Sequence, residues 1–203
     1  MSTSTVFFDI DTQVDFMRPT GPLYVAGAEA IVPNLRRLMD WARQHHVPVI
    51  SSADAHAPAD PEFETWPPHC VLGTAGQRRI AETSLPGAVV IPCRANAFTL
   101  PAQWEGQFIV EKTTYSVQDN PNFEVIMQAL GNRHAVVFGV ATEYCVRAAT
   151  LALRRRGLPV DVVTDAIQAI TPQGGEKALA EMAAAGARMV TTAEACTSAL
   201  SGK

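Results

Sequence analysis

The sequence predicts an α/β fold, a mostly parallel β-sheet covered by helices, and three observations carry that prediction. Short apolar runs alternate along the chain with segments whose apolar residues recur at helical spacing. The runs are apolar at successive positions rather than at every second one, as strands buried on both faces require. Glycines follow the helical segments at the points where a chain leaves a helix.

Residues 6–10 form the first apolar run. Ile31, Val32, Leu35, Leu38, Met39 and Ala42 then recur at helical spacing, and residues 47–50 return to strand character, which makes a β-α-β unit. Further strand candidates lie at 88–91, 107–111, 135–139, 160–164 and 188–191. Helical stretches at 122–130, 143–156 and 176–185 fall between several of them, with Gly131, Gly157 and Gly186 placed as stops. The Pro-rich segment 57–76 is too long for an ordinary connection, so it is either disordered or builds a site. Trp66, Pro67 and Pro68 favour a site. With no internal repeat or linker, residues 1–203 read as one domain, long enough to bury a sizeable core at 47% hydrophobic content.

Charge and composition narrow the partners. The chain has 16 basic and 20 acidic residues, so it presents no broad electrostatic footprint for nucleic acid or anionic lipid. Arg154, Arg155 and Arg156 form one local cluster, read as the solvated end of a helix. No charged and apolar leader pattern precedes the first strand, and no apolar run approaches membrane-spanning length, so the expected location is the cytoplasm. Four scattered cysteines, at 70, 93, 145 and 196, do not make a disulfide framework.

Asp11, Asp54, Lys112 and Cys145 all fall at or just after predicted strand ends, where open parallel sheets place their ligands. Each has a bland reading alone: Asp11 as a turn residue, Lys112 as a solvated charge, Cys145 as a small core hydrophobe. Jointly a thiol, a carboxylate and an ammonium on one sheet edge make a catalytic set. A free thiol titrates at about 8.5, and a neighbouring ammonium with a helix N-terminus is expected to lower that value. Asp11 would accept the thiol proton and later deliver it to a leaving amine, and backbone N–H groups in 140–145 would hold an oxyanion. The set reads as a cysteine hydrolase performing acyl transfer without histidine.

A second cluster suggests a metal. Asp54, His56, Glu62 and His69 supply mixed nitrogen and oxygen donors, suited to zinc, manganese or iron(II) rather than calcium. Glu64 competes with Glu62 for the same role, and Cys70 is either a soft ligand or a packing residue. Phe16, Trp66 and Tyr115 each lie near a polar candidate, either as walls of a small aromatic-substrate pocket or as packing under long loops. Tyr144 has no assigned role. Cys93 and Cys196 read as packing residues.

The ordered motifs Asp11-Thr-Gln-Val-Asp-Phe16, Asp54-Ala-His56, Trp66-Pro-Pro-His-Cys70, Gly73-Thr-Ala-Gly76, Lys112-Thr-Thr-Tyr-Ser116 and Gly139-Val-Ala-Thr-Glu-Tyr-Cys-Val146 resemble the isochorismatase-like cysteine hydrolases, and within them the nicotinamidases. The resemblance spans nearly the whole chain. It implies a three-layer α-β-α architecture with a six-stranded, Rossmann-like sheet. It also implies a triad of Asp11, Lys112 and Cys145, and a cis peptide at Val140-Ala141 that aims the Ala141 and Cys145 amides at the oxyanion. A divalent metal, zinc first, would be held by Asp54, His56 and His69 with Glu62, and Phe16 and Trp66 would sandwich a pyridine ring. The implied activity is hydrolysis of nicotinamide to nicotinate and ammonia through a thioester, in pyridine nucleotide salvage, by a homo-oligomer.

Two departures from the family pattern stand out. Glu143 occupies a place where many nicotinamidases have aspartate, and the stretch between His56 and Trp66 is short. Another small amide, ureido or carbamoyl compound is the same-class alternative. A non-catalytic binding protein on this fold is the different-class alternative. A redox-sensing thiol is a further one, with no resolving cysteine placed near Cys145.

Overall fold

The computed structural model describes residues 5–95 and 105–198. Seven strands form one sheet: β1 (Thr5–Ile10), β2 (Val49–Asp54), β3 (Val89–Ile91), β4 (Gln107–Lys112), β5 (His134–Val140), β6 (Val160–Gln168) and β7 (Arg188–Val190). Their order is β3-β4-β2-β1-β5-β6-β7 and every pairing is parallel. The expected six-stranded, mostly parallel sheet is therefore corrected to seven strands, all parallel. The short edge strands β3 and β7 complete it, each held by three register pairs to one neighbour.

Helices cover both faces. The helices are α1 (Val14–Met17), α2 (Val32–Gln44), α3 (Phe123–Leu130), α4 (Arg147–Arg155), α5 (Pro172–Ala184) and α6 (Thr192–Ser198). Alternation along β1 divides the core: Val6, Phe8 and Ile10 join a cluster with Ile126, Leu130, Ala149, Leu153 and Met182 of α3, α4 and α5. Phe7 points the other way, to Leu35, Leu38 and Met39 of α2 and Ala195 of α6. Each layer buries an apolar helix face against the sheet, the arrangement that favours burial of both sheet faces. No helix among the described residues is long and apolar enough to cross a membrane.

Several element boundaries differ from expectation. α5 begins at Pro172, not at residue 176, because Thr171 caps it through Gly174 N–H and proline suits its first turn. The stretch 143–156 divides into a π turn, Thr142–Val146, and α4. Arg154 is not merely solvated: it is half-buried and donates to the carbonyls of Ala185 and Leu158, while Arg155 and Arg156 are exposed.

Gly139 is the tightest point of the central pair. It has φ +119, and a Cβ there would stand 2.1 Å from the Ile10 carbonyl oxygen. Gly139 pairs with Ile10, the residue before Asp11, so its bare backbone lets β1 and β5 close where both leave the sheet. Gly139→Ala is expected to destabilise the protein by about 3 kcal/mol or more, from a disfavoured φ combined with a backbone clash. Urea unfolding checks this, and an unshifted midpoint would contradict the packing argument.

Candidate active site

The strands β4, β2, β1 and β5 lie side by side, and their carboxyl ends bring Lys112, Asp54, Asp11 and the Cys145 turn to one edge. Asp11 follows β1 in a left-handed conformation, φ 48, which an aspartate tolerates better than a branched residue. It is buried and accepts a 2.6 Å hydrogen bond from Ser52 Oγ. Lys112 Nζ lies 2.8 Å from Asp11 Oδ2 and 3.6 Å from Cys145 Sγ, and it also contacts Asp54. The Asp11 carboxylate also acts on the Cys145 thiol through its charge. Residues far apart in sequence thus meet in one buried contact set.

Cys145 sits in the π turn ahead of α4. The N–H groups of Tyr144 and Val146, on either side of it, both donate to the Ala141 carbonyl. The Val140-Ala141 peptide bond is cis, and Ala141 and Cys145 line the same cleft.

The electrostatics reverse one expectation. Burial pushes the Cys145 thiol well above its ordinary value, and the charges of Asp11 and Asp54 add to that, outweighing Lys112. The expected lowering fails because burial penalises the thiolate, and because two buried carboxylates surround one ammonium. Burial likewise pushes Asp11 up, with Lys112 opposing. For Lys112 burial acts downward, but Asp11 and Asp54 hold the ammonium well above the ordinary lysine value. Asp54 is held below the carboxylate range because Lys112, His56 and His69 overcome its burial. Burial thus favours the protonated form of both groups, with the Cys145 thiol well above its ordinary value and Lys112 opposing the rise of Asp11.

Next to the triad-like set, Asp54, His56 and His69 place one donor atom each within 4.8 Å of one another. Asp54 Oδ2 is 3.7 Å from His56 Nε2 and 3.6 Å from His69 Nε2. His56 Nε2 is buried without a hydrogen-bond partner, a costly state that a metal ion would relieve. His69 Nδ1 faces the Pro67 carbonyl at 2.9 Å, which leaves Nε2 toward Asp54. Two imidazoles and a carboxylate fit a divalent transition ion. Glu62 stands outside this close trio but lines the adjoining cleft, and Glu64 does not line it. Cys70 is fully buried, packed near the Gly76 carbonyl, and not part of the trio.

The cleft beside these two sets is narrow, with a cavity volume of about 50 Å³. Phe16, Trp66 and Tyr115 all line it, so the segment 57–76 is an ordered wall rather than a disordered connection. Trp66 Nε1 donates to Tyr115 Oη at 2.7 Å, and Phe16 leans on the His69 ring at 5.5 Å. Tyr144, left unassigned by the sequence, packs edge-on against Trp66 at 5.7 Å and lines the cleft as well.

Other contributors were missed in the sequence. Gln13 clamps the Asp54 backbone from both sides, donating to its carbonyl at 2.8 Å and accepting its N–H at 2.7 Å. Asp15 accepts the Cys70 N–H at 2.7 Å and so fixes the loop bearing His69. Asp60 lies 3.1 Å from His56 Nδ1. Gln13 and Asp15 stood inside a motif already singled out, as polar residues flanking Asp11. Leu23, Val25 and Ile170 also line the cleft, and no local pattern marks them.

Residues 5–194 match the isochorismatase domain family. A nicotinamidase of Escherichia coli (strain K12) is 27% identical, with 91% of this chain and 93% of that protein covered. A probable inactive nicotinamidase of Arabidopsis thaliana is 26% identical over 84% of this chain and 83% of that protein. Among solved structures, the pyrazinamidase of Pyrococcus horikoshii in complex with zinc superposes with a TM-score of 0.78 at 26% identity, covering 93% of this chain and 99% of that one. With the family match running over residues 5–194 and the fold shared with these structures, the chain belongs to the isochorismatase family of hydrolases, on its nicotinamidase-like branch.

Proposed function

We propose that the protein is a metal-containing amidohydrolase that converts nicotinamide and water to nicotinate and ammonia, with Cys145 as nucleophile. The single observation that carries this reading is the buried contact of Asp11, Lys112 and Cys145 beside the Asp54, His56 and His69 trio. Asp11 takes the thiol proton as sulfur attacks the amide carbon, Lys112 holds Asp11 ionised and oriented, and the Ala141 and Cys145 N–H groups receive the developing oxyanion. The proton passes from Asp11 to the departing amine, leaving a thioester on Cys145. Water, deprotonated by Asp11, then cleaves the thioester to the acid and restores the thiol.

Asp54, His56 and His69, with Glu62 at the cleft wall, would hold the divalent ion, zinc before manganese or iron(II). When bound, that ion supplies a Lewis-acid contact for a heteroaromatic ring nitrogen or a water. Phe16 and Trp66 would flank the ring, with Tyr115 bracing Trp66. Cytoplasmic pyridine nucleotide salvage, a single domain and a homo-oligomer complete the reading.

Ammonia release from nicotinamide, compared with a panel of ureido, carbamoyl and aliphatic amides and with metal content measured on the same sample, tests it. Turnover of nicotinamide above the rest, lost on strong chelation and regained with zinc, is the expected result. Preference for a carbamoyl compound would replace the substrate. A protein inert to every amide with its metal present would place it with binding proteins on this fold.

A further inference from the structure

Glu143 and Ile170 carry no role so far, and the structure ties one to the other. Glu143 lies in the turn that bears Cys145, and its carboxylate accepts the N–H of Ile170 at 3.0 Å and of Thr171 at 2.9 Å. Both amides lie at the start of α5, where the helix dipole favours an anion. Gly174 makes the room: a Cβ there would stand 2.8 Å from Glu143 Oε1. At Gly175 a Cβ would meet that of Ala169 at 2.7 Å. Both glycines lie in the first turn of α5, where the missing Cβ lets the start of the helix approach Glu143 and Ala169.

Ile170 is a large apolar side chain left 42% exposed, and the face it shows is the cleft beside Cys145. Its loop is held from the other side by Gln168, whose Nε2 donates to the Ala26 carbonyl at 3.0 Å. Ala26 belongs to the segment that brings Leu23 and Val25 to the same cleft.

We propose that Glu143 is a positioning residue: by holding the 170–171 backbone against the nucleophile turn, it fixes the wall that Ile170 forms and limits the width of the acyl group reaching Cys145. The inference rests on the amidase reading and deepens it, narrowing the substrates to amides of one flat ring without a substituent toward Ile170.

The test compares alkylation of Cys145 by iodoacetamide with that by a bulky N-aryl iodoacetamide, since the ratio cancels the thiol's own reactivity. Glu143→Ala and Ile170→Ala should each raise the bulky-to-small ratio by about fivefold, and Glu143→Gln, which keeps an acceptor of the same length, should stay within about twofold of wild type. The double variant should equal Ile170→Ala alone, because both act through one wall. In parallel, KM for nicotinamide should rise in Glu143→Ala by more than kcat falls. An unchanged ratio in Glu143→Ala, or additive effects in the double variant, would reduce Glu143 to a helix cap. Should Glu143→Ala fail to fold, an unchanged ratio in Ile170→Ala would by itself overturn the wall. A shifted ratio with no turnover of nicotinamide by wild type leaves the wall standing and removes the substrate reading instead.

Discussion

Cys145→Ala is expected to lower kcat/KM for nicotinamide by about 10⁴-fold or more, with the melting temperature close to wild type. No neighbouring group can replace the sulfur: Asp11 and Lys112 are locked together, and the Cys70 thiol, on the His69 loop, is buried and pushed far above its ordinary value by that burial. The fold should tolerate the change because the resting sulfur is neutral. Burial and the adjacent carboxylates hold the thiol protonated, so its removal strands no buried charge. Ammonia release by the variant at rates near wild type would show that water attacks directly, and the thioester would be lost from the scheme.

The same electrostatics set the pH profile. Asp11 must be ionised to accept the thiol proton, and burial has pushed it above the ordinary carboxylate range. Activity should therefore fall on acidification at a higher pH than an exposed aspartate would give. Iodoacetamide should alkylate Cys145 at neutral pH no faster than an ordinary thiol. A much faster reaction, localised by peptide mapping, would mean that thiolate is the resting state and that Asp11 carries the proton.

What sequence could and could not reveal follows from the range of each signal. Asp11, Asp54, Lys112 and Cys145 were legible because each follows an apolar run, and a parallel sheet gathers such ends on one edge. The trio of Asp54, His56 and His69 was legible from residue type and short spacing. The direction of the Cys145 shift was not, since it depends on how fully the thiol is buried and on how many carboxylates crowd one ammonium, which only three-dimensional packing decides. Ile170 gave no signal because a single isoleucine before a helix has no period. Glu143 was visible as an unusual residue, but its partners are backbone amides 27 and 28 positions away. The apolar runs marked all seven strands, the three-residue edge strands included, whereas the count of six came from the family resemblance.

Lys112→Met is expected to abolish turnover and also to unfold the protein more easily, unlike Cys145→Ala. Lys112 is buried between Asp11 and Asp54, so removing its charge leaves two buried carboxylates facing each other with no cation between them. Breaking such a set costs about 3–5 kcal/mol. At about 2–4 °C per kcal/mol for a chain of this size, the melting temperature should fall by roughly 10 °C. The pH dependence separates this cause from lost packing. In wild type the folded Lys112 value lies above the ordinary one, so its stabilisation is fully present below the unfolded lysine value and is lost only as pH rises through the folded value. In the variant, Asp11, already raised, loses its opposing cation, and a carboxylate raised in the folded state binds its proton more tightly there than when unfolded. Acid therefore favours the folded variant. In chelator-treated protein, the gap in melting temperature between variant and wild type should narrow from about pH 8 to about pH 5. A gap of equal size at both would mean that the methionine fails by shape, and that the ammonium is not what holds the two carboxylates together.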